Sequence, residues 1–174
     1  MEEFDALVKE LAEKRIDRDV PNSTAEHALI GIKYLFRYAE GVVRVITKSL
    51  NVTFWKNLES EIVGFLDREA TANTLEIISL ESLKGNTVAE MLRQRYTTRV
   101  SFYILDWETT KFFTSRDSVP NFVVVDPMGY RIEEADALLS EAKVTGYMNY
   151  GDKSKSELVK NVFDKLKSSS QKVA

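Results

Sequence analysis

Val119-Pro120-Asn121-Phe122-Val123-Val124-Val125-Asp126-Pro127-Met128-Gly129-Tyr130 decides how this chain is read. Asn121 to Asp126 is a strand by its run of β-branched and apolar residues. Pro127-Met128-Gly129 suits a tight hairpin, with Gly at the position that needs a positive φ. Tyr130 to Glu133 returns as the next strand. Phe112-Phe113-Thr114 and Val144 to Tyr150 read as two more strands joined by short turns. Antiparallel strands therefore extend a sheet at this end of the chain.

Upstream the pattern differs. Val42 to Thr47, Thr74 to Leu80 and Arg99 to Leu105 read as strands, separated by helices over Thr53 to Glu69 and Asn86 to Tyr96. Helical connections between short apolar strands indicate crossovers and a parallel sheet covered on both faces. Before this block, Phe4, Leu7, Val8, Leu11 and Ala12 recur at helical spacing over residues 3–14. Ile16 to Asn22 breaks that pattern, and Pro21 marks a boundary. Ser23-Thr24-Ala25-Glu26 fits a capping box that opens a second helix, apolar around most of its girth, with Gly41 as its cap. Ser154 to Ser168 forms the last helix, with Leu158, Val162, Phe163 and Leu166 as its stripe, and Ser168 to Gln171 reads as a frayed tail. The expected architecture is α/β: a mixed, mainly parallel central sheet with helices on both faces and an N-terminal helical arm. It divides into a helix and linker at 1–22, one domain at 23–168 and a flexible tail at 169–174.

The 174 residues carry 24 Lys and Arg against 27 Asp and Glu, a net charge of −3, with one His and no Cys. Without Cys there are no disulfides, thiolate metal sites or thiol nucleophiles. One His rules out any site that needs two imidazoles from one chain. The mild negative charge gives no global drive toward nucleic acid. No apolar run approaches the ~18 residues of a membrane span, and the acidic start is unlike a signal peptide, so a cytoplasmic location is expected. No G-x-x-x-x-G-K-[ST] and no G-x-G-x-x-G is present, so no cofactor is expected.

The element order, together with the segment Val119 to Asp126 and its turn at Pro127 to Gly129, resembles one half of the phospholipase D-like fold. Gly41 to Ser49, after a long helix, is similar to that family's opening strand. The resemblance covers residues 23–168 and implies the fold. In active members the later strand carries H-x-K-x-x-x-x-D. One His becomes a phospho-histidine, a second protonates the leaving group, and Lys neutralises phosphate. Aligned on Asp126, the His position holds Val119 and the Lys position holds Asn121. Val has no lone pair or titrating proton, and Asn carries no full charge. A homodimer does not repair this, since both copies lack the same groups. The resemblance thus implies the scaffold without the reaction: a non-catalytic domain that acts by binding, as a homodimer or with a protein partner.

Several residues are candidates for that role. Lys48, Ser49 and Asn51 follow the first strand, where open α/β sheets bind ligands beyond the carboxyl ends of strands. Asp106 and Asp126 end two later strands. If they converge with Lys48, they suit a divalent metal and a metal-dependent phosphodiesterase or nuclease. If they do not, they are turn acids. No dedicated metal site is expected. Trp107, with Phe4, Leu7 and Leu11, forms the candidate interaction set, the stripe either docking on its own domain or forming an arm toward a partner. His27, in the first turn of the second helix, is expected to pack locally. Arg93, Arg95, Arg99, Lys111 and Arg116, with Lys153, Lys155, Lys160, Lys165 and Lys167 on the last helix, motivate nucleic-acid binding, though acids interleave with them.

Overall fold

The computed structural model describes residues 1–68, 72–106, 121–133 and 146–173. Among these, six helices flank one eight-stranded sheet. The chain runs through α1 (Glu2–Glu13), β1 (Val20–Asn22), α2 (Ala25–Tyr38), β2 (Val42–Thr47), α3 (Val52–Lys56) and α4 (Glu59–Leu66). It continues through β3 (Thr74–Ser79), α5 (Thr87–Arg95), β4 (Val100–Ile104), β5 (Phe122–Val125), β6 (Tyr130–Glu133) and β7 (Gly146–Asn149). The last elements are α6 (Lys153–Ser168) and β8 (Gln171–Val173).

The sheet order is β1-β7-β6-β5-β2-β3-β4-β8. Only β2 with β3 and β3 with β4 pair in parallel. The other five pairings are antiparallel, so the expectation of a mainly parallel sheet is corrected. The crossovers build one side, as read. After β4, however, the chain returns to the opposite flank of β2, where β5 enters antiparallel and every later neighbour follows by reversal.

Two boundary expectations also change. The linker before α2 supplies the edge strand β1, with Val20 opposite Met148 and Asn22 opposite Gly146. The tail supplies β8, with Val173 opposite Phe102. Both are three-residue segments whose form comes from an available sheet edge rather than from their own pattern. The helix expected over Thr53 to Glu69 is split into α3 and α4. Asn57 turns its side-chain amide back to the Thr53 carbonyl, at 2.8 Å, and so competes with helix continuation. Thr24, rather than Ser23, caps α2 and accepts from the His27 N–H. The strand expected at Phe112 to Thr114 lies outside the described residues.

Helices cover both faces unequally. One core gathers α1 to α5 over Val43, Val45, Leu75, Ile77 and Phe102. On the other face α6 packs Val159, Phe163 and Leu166 over Ile46, Ile78 and Val124, the one helix there among the described residues. Gly129 adopts φ +126, as the hairpin requires, and its N–H donates to the Ser156 hydroxyl of α6.

Asn73 ties the start of β2 to the end of α4. Fully buried, it accepts from the Gly41 N–H at 2.8 Å and donates to the Phe65 carbonyl at 2.7 Å. Asn73→Ala strands both backbone groups. The expected loss is about 2–3 kcal/mol, read from the urea midpoint at unchanged slope.

Candidate functional site

Where β2 ends, β5 begins, because they run antiparallel. Lys48 donates its backbone N–H to the Asn121 side-chain oxygen at 2.7 Å. The Asn121 amide donates in turn to Glu133 at 3.2 Å, and Arg131 donates to the same carboxylate at 3.1 Å. Alternation along β6 sends Tyr130 and Ile132 to the α6 face and Arg131 and Glu133 to the α2 face. Glu133 lies opposite Gly146, and Gly146 lies opposite Asn22. A polar row thus crosses one end of the sheet from Lys48 to Asn22.

Of that row, Lys48, Asn121, Arg131 and Glu133 line a cleft of about 320 Å³, and Asn22 and Gly146 are not part of its lining. The first turns of α2 form its roof, where Ala25 and Ala28 leave room. Val45, Ile32, Phe54 and Trp55 supply an apolar wall, and Lys48, Ser49 and Asn51 stand along its edge. Asn51 also caps α3, accepting from the Phe54 N–H at 2.9 Å.

Arg131 is only 3% exposed, and its Nε has no hydrogen-bond partner. Burial pulls the guanidinium below its usual range, and the charge and hydrogen bond of Glu133 oppose that pull. It stays protonated, since no protein environment neutralises Arg. Asn22 is 2% exposed, and neither atom of its carboxamide has a partner. A side chain at Gly146 would meet the Asn22 oxygen at 3.2 Å, so this amide leans over the bare glycine.

The candidate residues do not all meet here. Lys48, Ser49 and Asn51 line the cleft as expected. Asp126 sits at the opposite end of β2, where its carboxylate bonds Arg44 at 3.2 Å, Lys160 at 2.6 Å and the Val42 N–H at 3.3 Å. Burial alone raises its pKa. The Lys160 hydrogen bond and the Arg44 charge outweigh burial and hold the carboxyl below its ordinary range. Asp106 follows β4 at the Lys48 end, two strands from β2. Convergence of Lys48, Asp106 and Asp126 is therefore corrected: an acid that ends an antiparallel strand lies at the far end of the sheet. Among the described residues, no group of three His, Cys, Asp or Glu side chains is placed to hold a metal ion.

The apolar stripe of α1 docks on its own domain rather than reaching outward. Leu11 is buried, and Phe4 and Leu7 pack at the core's margin. Tyr34 of α2 donates to Asp5 at 3.0 Å, which fixes the same contact. His27 stacks on Phe4, with ring centroids 3.9 Å apart, and is not among the residues that line the cleft. Trp107, Lys111, Arg116 and Val119 lie outside the described residues.

Sequence reading passed over Arg131, Glu133 and Asn22. The signal was the alternation Tyr130-Arg131-Ile132-Glu133, two charges on one face of a strand between apolar neighbours. It becomes legible only once the face they share is known.

No family model matches the sequence, and no curated protein is similar to it. Solved structures are similar in fold. TrmBL2, an archaeal chromatin protein with a novel mode of DNA binding, has a TM-score of 0.67 at 14% identity. The match covers 99% of this chain and 61% of TrmBL2, so this chain spans about three-fifths of that protein. Nuc from Salmonella typhimurium, a phospholipase D family member, has a TM-score of 0.65 at 8% identity over 91% of this chain and 99% of its own. NucT from Helicobacter pylori has a TM-score of 0.62 at 13% identity, covering 89% and 98%. At these identities the likeness shows the fold, which is phospholipase D-like.

Proposed function

We propose that this chain is a non-catalytic phospholipase D-like domain that works by binding a small ligand in the cleft at the carboxyl end of β2. The observation that carries this reading is the chemistry of the cleft. Asn121 stands where the active family's pattern has Lys, and its amide is committed to the Lys48 N–H and to Glu133. The chain's single imidazole is stacked on Phe4 outside the cleft. A phosphodiester placed there meets no imidazole to attack it or to protonate its leaving group. What remains is a preformed concavity with an apolar wall and a few polar groups, the usual build of a small-molecule site.

Nucleic-acid binding draws less support, although TrmBL2 binds DNA. Arg95 is paired with Asp67, Arg99 donates to the Leu66 carbonyl, and Arg93 lies over the Phe102 ring. Lys160 and Lys167 are paired with Asp126 and Glu76. Cations held by internal partners release few counterions on a phosphate backbone.

The test is hydrolysis of bis(4-nitrophenyl) phosphate. The expected result is no release of nitrophenolate above buffer. Turnover that disappears in His27→Ala would overturn the reading.

A further inference from the structure

We infer that the cleft takes a small monocarboxylate with an apolar body, its carboxylate held at Lys48, Ser49 and Asn51. This rests on the binding role proposed above and narrows its ligand class. Hydrogen bonds divide the polar lining into two sets. The acceptors are committed. One Glu133 oxygen takes the Asn121 amide at 3.2 Å, and the other takes Arg131 at 3.1 Å. The Asn121 oxygen takes the Lys48 N–H at 2.7 Å, and the Asn51 oxygen takes the Phe54 N–H at 2.9 Å. The Thr47 hydroxyl donates to the Ser49 carbonyl at 2.7 Å. The lining groups left without a partner among the described residues are all able to donate: the Lys48 ammonium, the Ser49 hydroxyl and the Asn51 amide. They stand together on the loop after β2, along the edge of the cleft.

Charge sets the class of acceptor. Lys48, Arg131 and Glu133 are the charged residues of the lining, and Arg131 is paired with Glu133. One positive charge remains uncompensated, and one negative charge matches it. A phosphate monoester brings roughly 1.5 to 2 negative charges at neutral pH. Glu133 stands one side chain from Lys48, since Asn121 bonds both the Lys48 N–H and that carboxylate. The excess negative charge is therefore repelled rather than paired. The remaining lining is apolar, with Ala28, Ile32, Val45 and the Phe54–Trp55 pair, whose rings meet edge to face at 5.9 Å. Such a wall gains from covering a hydrocarbon or aromatic body and offers hydroxyl groups nothing to bond. The volume of about 320 Å³ suits a compact one, at the small end of ligand sites.

Amide chemical-shift titration of the labelled protein with 3-phenylpropanoate and with its uncharged amide, 3-phenylpropanamide, tests this. Both perturb Thr47 to Asn51 and the first turn of α2, and the acid binds tighter by about threefold, the size of one solvent-exposed ion pair. Lys48→Gln removes the charge and keeps the backbone N–H that Asn121 holds. Lys48 is exposed, so this variant melts at the wild-type temperature. In it the acid loses its advantage, while the amide binds as before. Phenyl phosphate binds the wild type more weakly than the acid does. An acid that does not bind in the wild-type cleft, that binds no better than the amide, or that keeps its advantage in Lys48→Gln overturns the inference. So does phenyl phosphate binding as tightly as the acid. The amide bound in the cleft with no advantage for the acid leaves the binding reading in place while this inference falls.

Discussion

Asp126→Ala lowers the stability of this domain by about 3 kcal/mol, because it removes at once the partner of half-buried Arg44, the shortest ion pair of buried Lys160 and an acceptor for the Val42 N–H, leaving Lys160 with Glu157 and the Pro127 carbonyl. Lys160 is 8% exposed and holds Asp126 at 2.6 Å, and Arg44 reaches the same carboxylate from β2. The carboxylate also accepts from the Val42 N–H, so it joins the β5–β6 turn, the start of β2 and α6 at one point. For a domain of this size the expected fall in Tm is about 6–12 °C. The double variant with Lys160→Met recovers part of the loss, since a buried charge that has lost its shortest ion pair is removed with it. The pH dependence has a definite sign. The folded carboxyl titrates below its unfolded value of about 3.9, so its contribution is present above that pH. It is lost as pH falls through the folded value. Acid titration of wild type and Asp126→Asn by circular dichroism checks this, and the variant has the shallower loss below about pH 4.

Phe163→Ala is the other large effect, at about 3–5 kcal/mol. The α6 face of the sheet has a single described helix, and Phe163 is its fully buried centre, packed over Ile46, Ile78 and Val124. Among the described residues, no second helix lies on that face to close over the cavity. Leu158→Ala on the outer surface of the same helix, at a residue 63% exposed, changes stability by less than about 0.5 kcal/mol. Urea unfolding of the two variants side by side measures the difference.

The central strands were legible because each is a run of buried β-branched residues bounded by turn residues, as in Val42 to Thr47 and Phe122 to Val125. The hairpin at Asp126 to Gly129 was legible from its Gly. The edge strands were not. Val20-Pro21-Asn22 and Gln171-Lys172-Val173 lack a pattern of their own and become strands by pairing with β7 and β4. The direction of β5 was also hidden, since a strand's residues do not record whether its neighbour runs with it or against it. That one unknown separated Asp126 from Lys48. It also concealed Arg131 and Glu133, whose shared face over the cleft follows from the β5–β6 register. Lys48, Ser49 and Asn51 were found because the carboxyl end of a central strand faces a crevice whatever the later topology.

The central claim is that binding occurs in the polar cleft and nowhere else on the described surface. Amide chemical-shift mapping of the labelled protein, titrated with a mixed set of small neutral and anionic fragments, tests it most directly. The account predicts perturbations gathered at Thr47 to Asn51, Asn121, Arg131 to Glu133 and the first turn of α2. Perturbations centred on the outer surface of α6, or none at any fragment concentration, would contradict it.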